Sequence, residues 1–537
     1  MAGLGDRFRR AGYKDPKPLI VIDGRPMIEH VVRLFPGETR FLFICNEQHL
    51  AATPLRLTLE RIAPRCTIAG IEPHKLGPVH TVLRGADLID DAEPVIVNYC
   101  DFSVYWDYAA FVENVSRTAC HGAVTAYRNF HPHSLGPNYY AYIRERNREM
   151  LEIKEKGCFT DNRLTEYAST GTHYFASGAL MKRYFQELVQ SGSTVNGEFY
   201  VSMVYNLLVR DRLQVRVFEV EHFLQWGTPE DLEEYLYWSE ACDRRAFDLS
   251  CNSKSSAGSD ELWANVTAII PMAGEGSRFR AAGYTTPKPL ISVSGRPMVV
   301  QAVRTLPCAG EWLFICRQEL ARVVHGAIAE LSITARVLAV DQPTEGQACT
   351  CLQAEGFVPR TRPILIAACD TGLLYDHRVL DSLLASGKAD VVVFTFRHYA
   401  PAARRPQLYG WVNTDGRRVL GVSTKTPISA TPLRDQAIVG AFYFKRAGDF
   451  YDAARRLIGK DRRINGEFYV DECINEAIAM GLTVHIFEVD KYLCWGTPDE
   501  LRTFEYWQEY FRKASRLKGP LLSELGCLER QSLADER

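Results

Sequence analysis

Two glycines, an arginine and a lysine on one short stretch of chain are the residues best placed to do chemistry. After the apolar run TAII comes Pro271-Met272-Ala273-Gly274-Glu275-Gly276-Ser277-Arg278, and ten residues beyond Arg278 stands Lys288, in Pro287-Lys288-Pro289-Leu290. The glycines let backbone N–H groups approach a ligand without a side chain in the way, which suits a phosphate cradle. The flanking prolines stiffen the backbone under Lys288, so a fixed positive charge near bound phosphates is a better use of it than a helix face. A lone G-x-G is more often a plain turn, and Arg278 or Lys288 alone reads as a surface cation. The ordered set of strand, G-x-G-x-R and PKPL is far more specific. Two acids add to it: Asp370 ends the apolar run PILIAAC, and Asp101 ends PVIVNYC. A carboxylate at the tip of a buried strand is desolvated on one side, so it must be paired, cap a helix or bind a cation. Asp376 and Asp107, six residues on, read as caps of the next helices.

The elements that must position these groups alternate in period. TAIIP, PLISV, WLFIC, ARVLAV, PILIAAC and DVVVFTF read as strands, separated by helical stretches such as QELARVVHGAIAEL and HRVLDSLLASG. That alternation predicts an α/β fold, a largely parallel sheet with helices on both faces. YGWVNTDGRRVLGV, with its DG turn, predicts an antiparallel hairpin added to the sheet. Ligands of such sheets bind at the carboxyl ends of the strands, where these motifs fall.

All of this is written twice. RFRRAGYKDPKPLIVIDGRPM near the start returns as RFRAAGYTTPKPLISVSGRPM, and FLFIC, YCD, NGEFYV and QWGTPEDL recur as WLFIC, ACD, NGEFYV and CWGTPDEL. Lys17 thus matches Lys288 and Asp101 matches Asp370. The stretch SCNSKSSAGSDE between the copies lacks apolar periodicity and predicts a linker at about 248–262. The domains expected are 1–247 and 263–514, with a peripheral tail at 515–537. In the first copy Met1 aligns with Met272, so the strand equivalent to 266–271 is missing. Omitting it leaves neighbouring strands with unpaired backbone groups. An internal methionine taken as the start, or an incomplete gene fragment, explains this better than a domain that evolved without the strand; otherwise repeat one serves as an inactive scaffold.

Composition narrows the function class. Of 537 residues 46% are hydrophobic and 24% charged, with a net charge of −2, a globular profile that recommends neither nucleic acid nor a membrane surface as partner. Neither a secretory leader nor an apolar run long enough to span a bilayer is present, so a cytoplasmic location is expected. The 15 cysteines form no CxxC pair and read as free thiols, with Cys349 and Cys351 packed in a core. His131 and His133 have no partner spacing and read as solvated or packed.

The motifs taken together resemble the sugar-nucleotide pyrophosphorylases, nucleotidyltransferases of the glucose-1-phosphate thymidylyltransferase and cytidylyltransferase type. The resemblance covers both repeats, and PMAGEGSRFRAAGYTTPKPL with NGEFYV and WGTPxxL looks like the branch found with capsule and surface-polysaccharide genes. It implies two tandem Rossmann-like (GT-A-like) domains with mostly parallel mixed sheets, each joining an NTP to a phosphorylated small molecule with release of pyrophosphate. By the same resemblance Ala273, Gly274 and Gly276, with Gly3 and Gly5 in repeat one, hold the triphosphate through the backbone. Arg278 and Arg7 hold the departing pyrophosphate, and Lys288 and Lys17 the phosphates at the reacting centre. Asp370 and Asp101 bind Mg²⁺. A second metal aspartate is usual in the family, but its position here is Cys494 in one copy and Gln225 in the other, so Glu467 and Glu198 of NGEFYV are candidates for metal or acceptor contact. Gly346 and Gln347 meet the nucleobase, the glycine letting a flat base lie on the backbone; repeat one has Gly77-Pro78 and loses the amide that could read a base edge. Lys425 and Lys156 align with the lysine that holds the acceptor's phosphate, with a surface lysine as the alternative. WGTPDEL needs only helix capping to explain it.

Other classes stay open. A phosphocholine-type acceptor fits the same chemistry as a sugar phosphate. A glycosyltransferase shares the sheet type but lacks its D-x-D motif here, and a non-catalytic nucleotide-binding pair would leave turnover absent. The nucleotide, the acceptor and the oligomeric state are open, although a fused pair could supply an intrachain pseudo-dimer interface.

Overall fold

In the computed structural model of the chain, the residues described are 1, 3, 5–244 and 259–517. They fall into two compact units, 1–236 with 513–517 and 237–512. Most of the expected linker and tail lies outside the described residues.

In the second unit a sheet of nine strands carries the fold. Its order is Ala335–Val340, Glu311–Arg317, Thr267–Met272, Ile364–Ala367, Gln436–Phe444, Val391–Phe396, Val484–Glu488, Arg418–Thr424 and Gly410–Asp415. The first four run parallel, as βαβ crossovers require. Gln436–Phe444 then runs antiparallel to both its neighbours, making the sheet mixed. Strands such as VVVFTF are buried along their whole length, because helices cover both faces. One continuous core joins Ile269, Leu313, Ile366, Val393, Phe442 and Phe468.

The DG hairpin forms as expected and extends the sheet. PLISV does not join it. Lys288–Leu290 is a single 3-10 turn, and only Ser292–Val293 pairs, with Arg296–Pro297 in a tiny hairpin whose turn residues Ser294 and Gly295 both have positive φ. Two prolines remove the donors a strand would need there.

The first unit repeats this plan with one strand fewer. A parallel pair, Leu42–Asn46 and Thr67–Ile71, stands apart from a sheet of six: Val95–Asn98, Tyr167–Phe175, Gly122–Tyr127, Val215–Glu219, Glu149–Lys154 and Tyr142–Arg146. The core divides accordingly: Leu19, Phe43, Leu55 and Leu59 form one cluster, while Val124, Phe175, Phe185 and Val204 form another.

Local expectations hold around these frames. Asp107 and Asp376 cap their helices, accepting from Ala110 N–H and Arg378 N–H at 2.9 Å. Thr497 and Thr228 accept from Glu500 N–H and Asp231 N–H at the starts of the last helices. The thirteen cysteines described are all free. Burial holds the His131 imidazole neutral, pushed down to about 3, and His133 pairs with the Tyr127 hydroxyl at 2.6 Å. Among the described residues no helix is long and apolar enough to cross a membrane.

Candidate active site

The glycine loop and the lysine segment lie against each other. Gly276 caps the helix Ser277–Ala281 in the left-handed region, φ 62°, where a side chain is strained, and a Cβ there would stand 3.1 Å from Lys288 Cβ. Gly5 caps the helix Asp6–Arg10 in the same region in repeat one, φ 67°, with no atom within 4 Å of where a Cβ would be. Gly274 and Gly3 face open space, with no atom within 4 Å of where a Cβ would be, and Ala273 is buried behind the loop. The space beside Gly274 and Gly3 is therefore open.

Lys288 donates to Asp370 Oδ2 at 2.5 Å, and Lys17 to Asp101 Oδ2 at 2.6 Å and to the Gly227 carbonyl at 3.0 Å. Burial works against the Lys288 ammonium, but the Asp370 carboxylate beside it prevails and holds it above its ordinary value. The same ion pair thus occurs twice, on residues more than eighty positions apart in sequence.

The strand after each aspartate is duplicated as well. Thr371–Leu374 pairs with Lys491–Cys494, placing Thr371 opposite Cys494, and Phe102–Tyr105 pairs with His222–Gln225, placing Phe102 opposite Gln225. Trp495 N–H and Trp226 N–H close the turn onto the carbonyls of Asp370 and Asp101, at 2.9 and 3.0 Å. A Cβ on Gly496 would stand 3.1 Å from Asp370 Oδ2 and 3.5 Å from both Cys494 Sγ and Glu500 Oε2, so these groups surround one point. On Gly227 it would meet the Gln225 amide and, at 3.4 Å, Asp101 Oδ2. Burial, then the Glu500 and Asp370 carboxylates, push the Cys494 thiol far up, so it stays neutral. Glu500 accepts from the Tyr409 and Thr497 hydroxyls. In the sequence Glu500 reads only as a helix-start acid; its reach to Asp370 depends on strand pairing that no local pattern shows.

Lys425 and Lys156 each belong to a second duplicated group. Both have left-handed backbones, φ 63° and 53°. Lys156 donates to the Tyr200 hydroxyl at 2.5 Å, and that hydroxyl donates to Glu198. Lys425 lies 5.4 Å over the Tyr469 ring, whose hydroxyl binds Glu467, while its Nζ donates to the Leu408 carbonyl at 2.6 Å. Glu467 and Glu198 therefore sit with these lysines. The exposed Arg278 is within electrostatic reach of Lys425 and Tyr469, and Arg7 of Tyr200. Arg7 also lies 5.1 Å over the Tyr139 ring. Tyr469 and Tyr200 do not stand out in the sequence, although their place two residues after the glutamate is a usable signal.

Gly346 opens the helix Gln347–Leu352 with φ 121°. A Cβ there would stand 2.5 Å from Phe468 N and 2.6 Å from its carbonyl oxygen. Gly77 meets Phe199 in the same way at 2.7 Å. Glycine is required here by the close approach of the NGEFYV backbone. Phe468 N–H donates to Glu345 at 2.8 Å and Ala348 N–H to Phe468 at 3.0 Å, which locks the Gln347 segment to the Glu467 segment.

Residues 1–160 and 268–422 match the sequence profile of the MobA-like NTP transferase domain. The chain belongs to this family. Its NTP transferase domain occurs twice, and each copy contains a glycine loop, a lysine and a strand-tip aspartate. No curated protein matches the chain. Among solved structures it is similar to a nucleoside-diphosphate-sugar pyrophosphorylase from Vibrio cholerae RC9 (24% identity, 44% of this chain and 98% of that one, TM-score 0.37). It is similar to the inositol-1-phosphate CTP transferase of T. maritima (14% identity, 45% and 94%, TM-score 0.37). A UDP-glucose pyrophosphorylase complexed with UDP-glucose is also similar (16% identity, 46% and 98%, TM-score 0.38). In this NTP transferase Arg278 of the glycine loop acts electrostatically on Lys425 of the second group.

Proposed function

We propose that each repeat transfers a nucleotidyl group from an NTP to a phosphorylated small molecule, a sugar phosphate first, with release of pyrophosphate. The observation that carries this is the duplicated lysine–aspartate pair set beside an open glycine loop. A cation for phosphate and an anion for a metal stand side by side, while the second lysine group, with Lys425 or Lys156, offers separate anchorage for the acceptor phosphate.

The acceptor's phosphate oxygen attacks the α-phosphorus in line, and pyrophosphate leaves from the opposite side. The loop amides at Gly274–Gly276 and Gly3–Gly5 receive triphosphate oxygens, Lys288 or Lys17 neutralises charge at the reacting centre, and Arg278 or Arg7 draws off the pyrophosphate. No side-chain nucleophile takes part. Gln347 reads a base edge in repeat two, where repeat one has Pro78.

The donor set fits Mg²⁺ held by one protein carboxylate per repeat. Asp370 and Asp101 are partly exposed carboxylates, whereas the neighbouring position is a neutral thiol or a carboxamide. Magnesium takes oxygen donors and keeps waters and substrate phosphates among them. Asp370 or Asp101 would hold it there, where it would supply positive charge to offset that of the phosphates. The expected domains, 1–247 and 263–514, the cytoplasmic location and a role in surface-polysaccharide precursors belong to the same proposal, the last resting on the resemblance of the motifs to the capsule-associated branch.

The test is pyrophosphate release with Mg²⁺, a panel of NTPs and a panel of phosphomonoesters. Wild type is compared with Lys17→Ala, Lys288→Ala and the double variant. Release lost in the double variant supports the reading; nucleotide binding without release from any pair of substrates overturns it in favour of a non-catalytic nucleotide-binding protein.

A further inference from the structure

Both repeats fasten the β-hairpin to a later helix, Val201–Arg210 or Val470–Ala479, with the same device. Asn206 accepts from Ile153 N–H at 2.9 Å and donates to its carbonyl at 2.8 Å; Asn475 does so with Val422 at 2.9 and 3.0 Å. This clamp fixes which positions correspond. Two residues beyond the clamped one, repeat one has Glu155 and repeat two Thr424. One helical turn before the asparagine, repeat one has Ser202 and repeat two Asp471. The acid has changed places: on the strand in one copy, on the helix in the other.

A third position has changed with them. Gly410 lies opposite Thr424 in the hairpin, and a Cβ on it would stand 2.2 Å from Asp471 Oδ2. The equivalent residue in repeat one is Ala141, where position 202 is only a serine. Ser202 there donates to Glu155 Oε2 at 2.5 Å. In both copies the acid adjoins the lysine of the second group, Glu155 through the chain and Asp471 across from the helix. A Thr–Ser pair would fill the same space without a charge, and burying a carboxylate is costly unless the charge is used.

We propose that Asp471 and Glu155 are the same positioning residue, transposed between helix and strand, whose half-buried negative charge holds the ammonium of Lys425 or Lys156 ready for an anionic acceptor. The proposal rests on reading those lysines as the acceptor-phosphate residues. Burial pushes the Lys425 ammonium down, and Asp471 is the strongest influence opposing that, ahead of Glu500 and Glu467, with Arg278 acting in the other direction. Burial likewise pushes Asp471 up to about 6, against the pull of Lys425 and with Glu472 adding to it. On the repeat-one side Glu155 is raised by burial, with Ser202 and Lys156 lowering it and Glu198 raising it.

The test uses the full chain in the Lys17→Ala background, comparing Asp471→Ser with the triple variant Asp471→Ser, Thr424→Glu, Gly410→Ala, which installs the arrangement of repeat one. Lys425 protonation is read from the pH dependence of its acylation, by peptide mass spectrometry, and acceptor KM and kcat from pyrophosphate release. Asp471→Ser is expected to slide the labelling midpoint about one pH unit lower, tenfold in rate at fixed pH, and to raise acceptor KM about tenfold with kcat within about twofold. The triple variant is expected to restore both to within about threefold. An unchanged labelling midpoint in Asp471→Ser overturns the proposal, as does a triple variant that melts with wild type yet restores nothing. A shifted midpoint with acceptor KM unmoved, in Asp471→Ser and in Lys425→Ala alike, instead overturns the reading of Lys425 as an acceptor residue.

Discussion

The central sheets of the two repeats are arranged differently, yet the two carry the same ion pair on the same frame. In repeat two Ile364–Ala367 is buried along its length, flanked by Thr267–Met272 and Gln436–Phe444. Its counterpart Val95–Asn98 is half-exposed throughout and pairs on one side only. The comparison teaches what fixes the ion pair. Lys17 is held by a proline-flanked turn, and Asp101 by the pairing of Phe102–Tyr105 with His222–Gln225, in a repeat whose sheet is otherwise arranged differently.

The sharpest way to break the equivalence is chemical. Lys288→Ala and Lys17→Ala should each lower pyrophosphate release from their own repeat by about 100-fold or more, the scale of losing one aimed charge. If single variants with the other site intact keep about half of the activity, both sites work; if Lys288→Ala alone removes it, repeat one keeps the geometry without the turnover.

A smaller but still large effect is expected from the two glycines under NGEFYV. Gly346→Ala and Gly77→Ala should each destabilise their unit by about 2–4 kcal/mol in urea titrations, since each adds a methyl against backbone at a positive φ. A loss under about 1 kcal/mol at Gly77 alone would mean that repeat one relaxes where repeat two does not.

Amide exchange sharpens the contrast between the sheets. The Val95–Asn98 amides should exchange about tenfold or more faster than those of Ile364–Ala367, because fewer buried contacts oppose local opening. Equal protection would show that the half-exposed strand is covered in solution.

The smallest effect concerns pH and separates the copies at Asp471. Its folded value lies near 6, above the ordinary carboxylate value, so ionising it opposes folding. The stabilising contribution of the protonated acid is complete below about pH 4 and disappears as pH rises through about 6. Asp471→Asn should therefore melt higher than wild type at pH 7.5, by on the order of 1–2 kcal/mol, with the difference closing below pH 4. Ser202→Asn in repeat one should show no such crossover.

The glycine loop, PKPL, the strand-tip aspartates and the helix caps were legible because each is a local pattern whose geometry a few neighbouring residues enforce. Duplication made them plainer, since Lys17 and Asp101 stayed in step with Lys288 and Asp370. PLISV looked like a strand because its side chains suit one, while its prolines quietly removed the donors. The crowding that requires glycine at 346 was not legible, because it comes from Phe468, more than a hundred residues away. The Glu500–Tyr409 contact and the Tyr–Glu partners of Lys156 and Lys425 were hidden for the same reason. The transposed acid is the clearest case: both copies show an acid and a hydroxyl residue at scattered positions, and only the Asn206 and Asn475 clamps show that they fill one space. By itself the sequence determined which residues could bind phosphate and that the domain occurs twice, because backbone freedom, fixed charge and periodicity are local properties. Which carboxylate meets which lysine was decided by the tertiary structure, because strand pairing and helix docking bring charges within a few ångströms across spans of chain that no sequence pattern can measure.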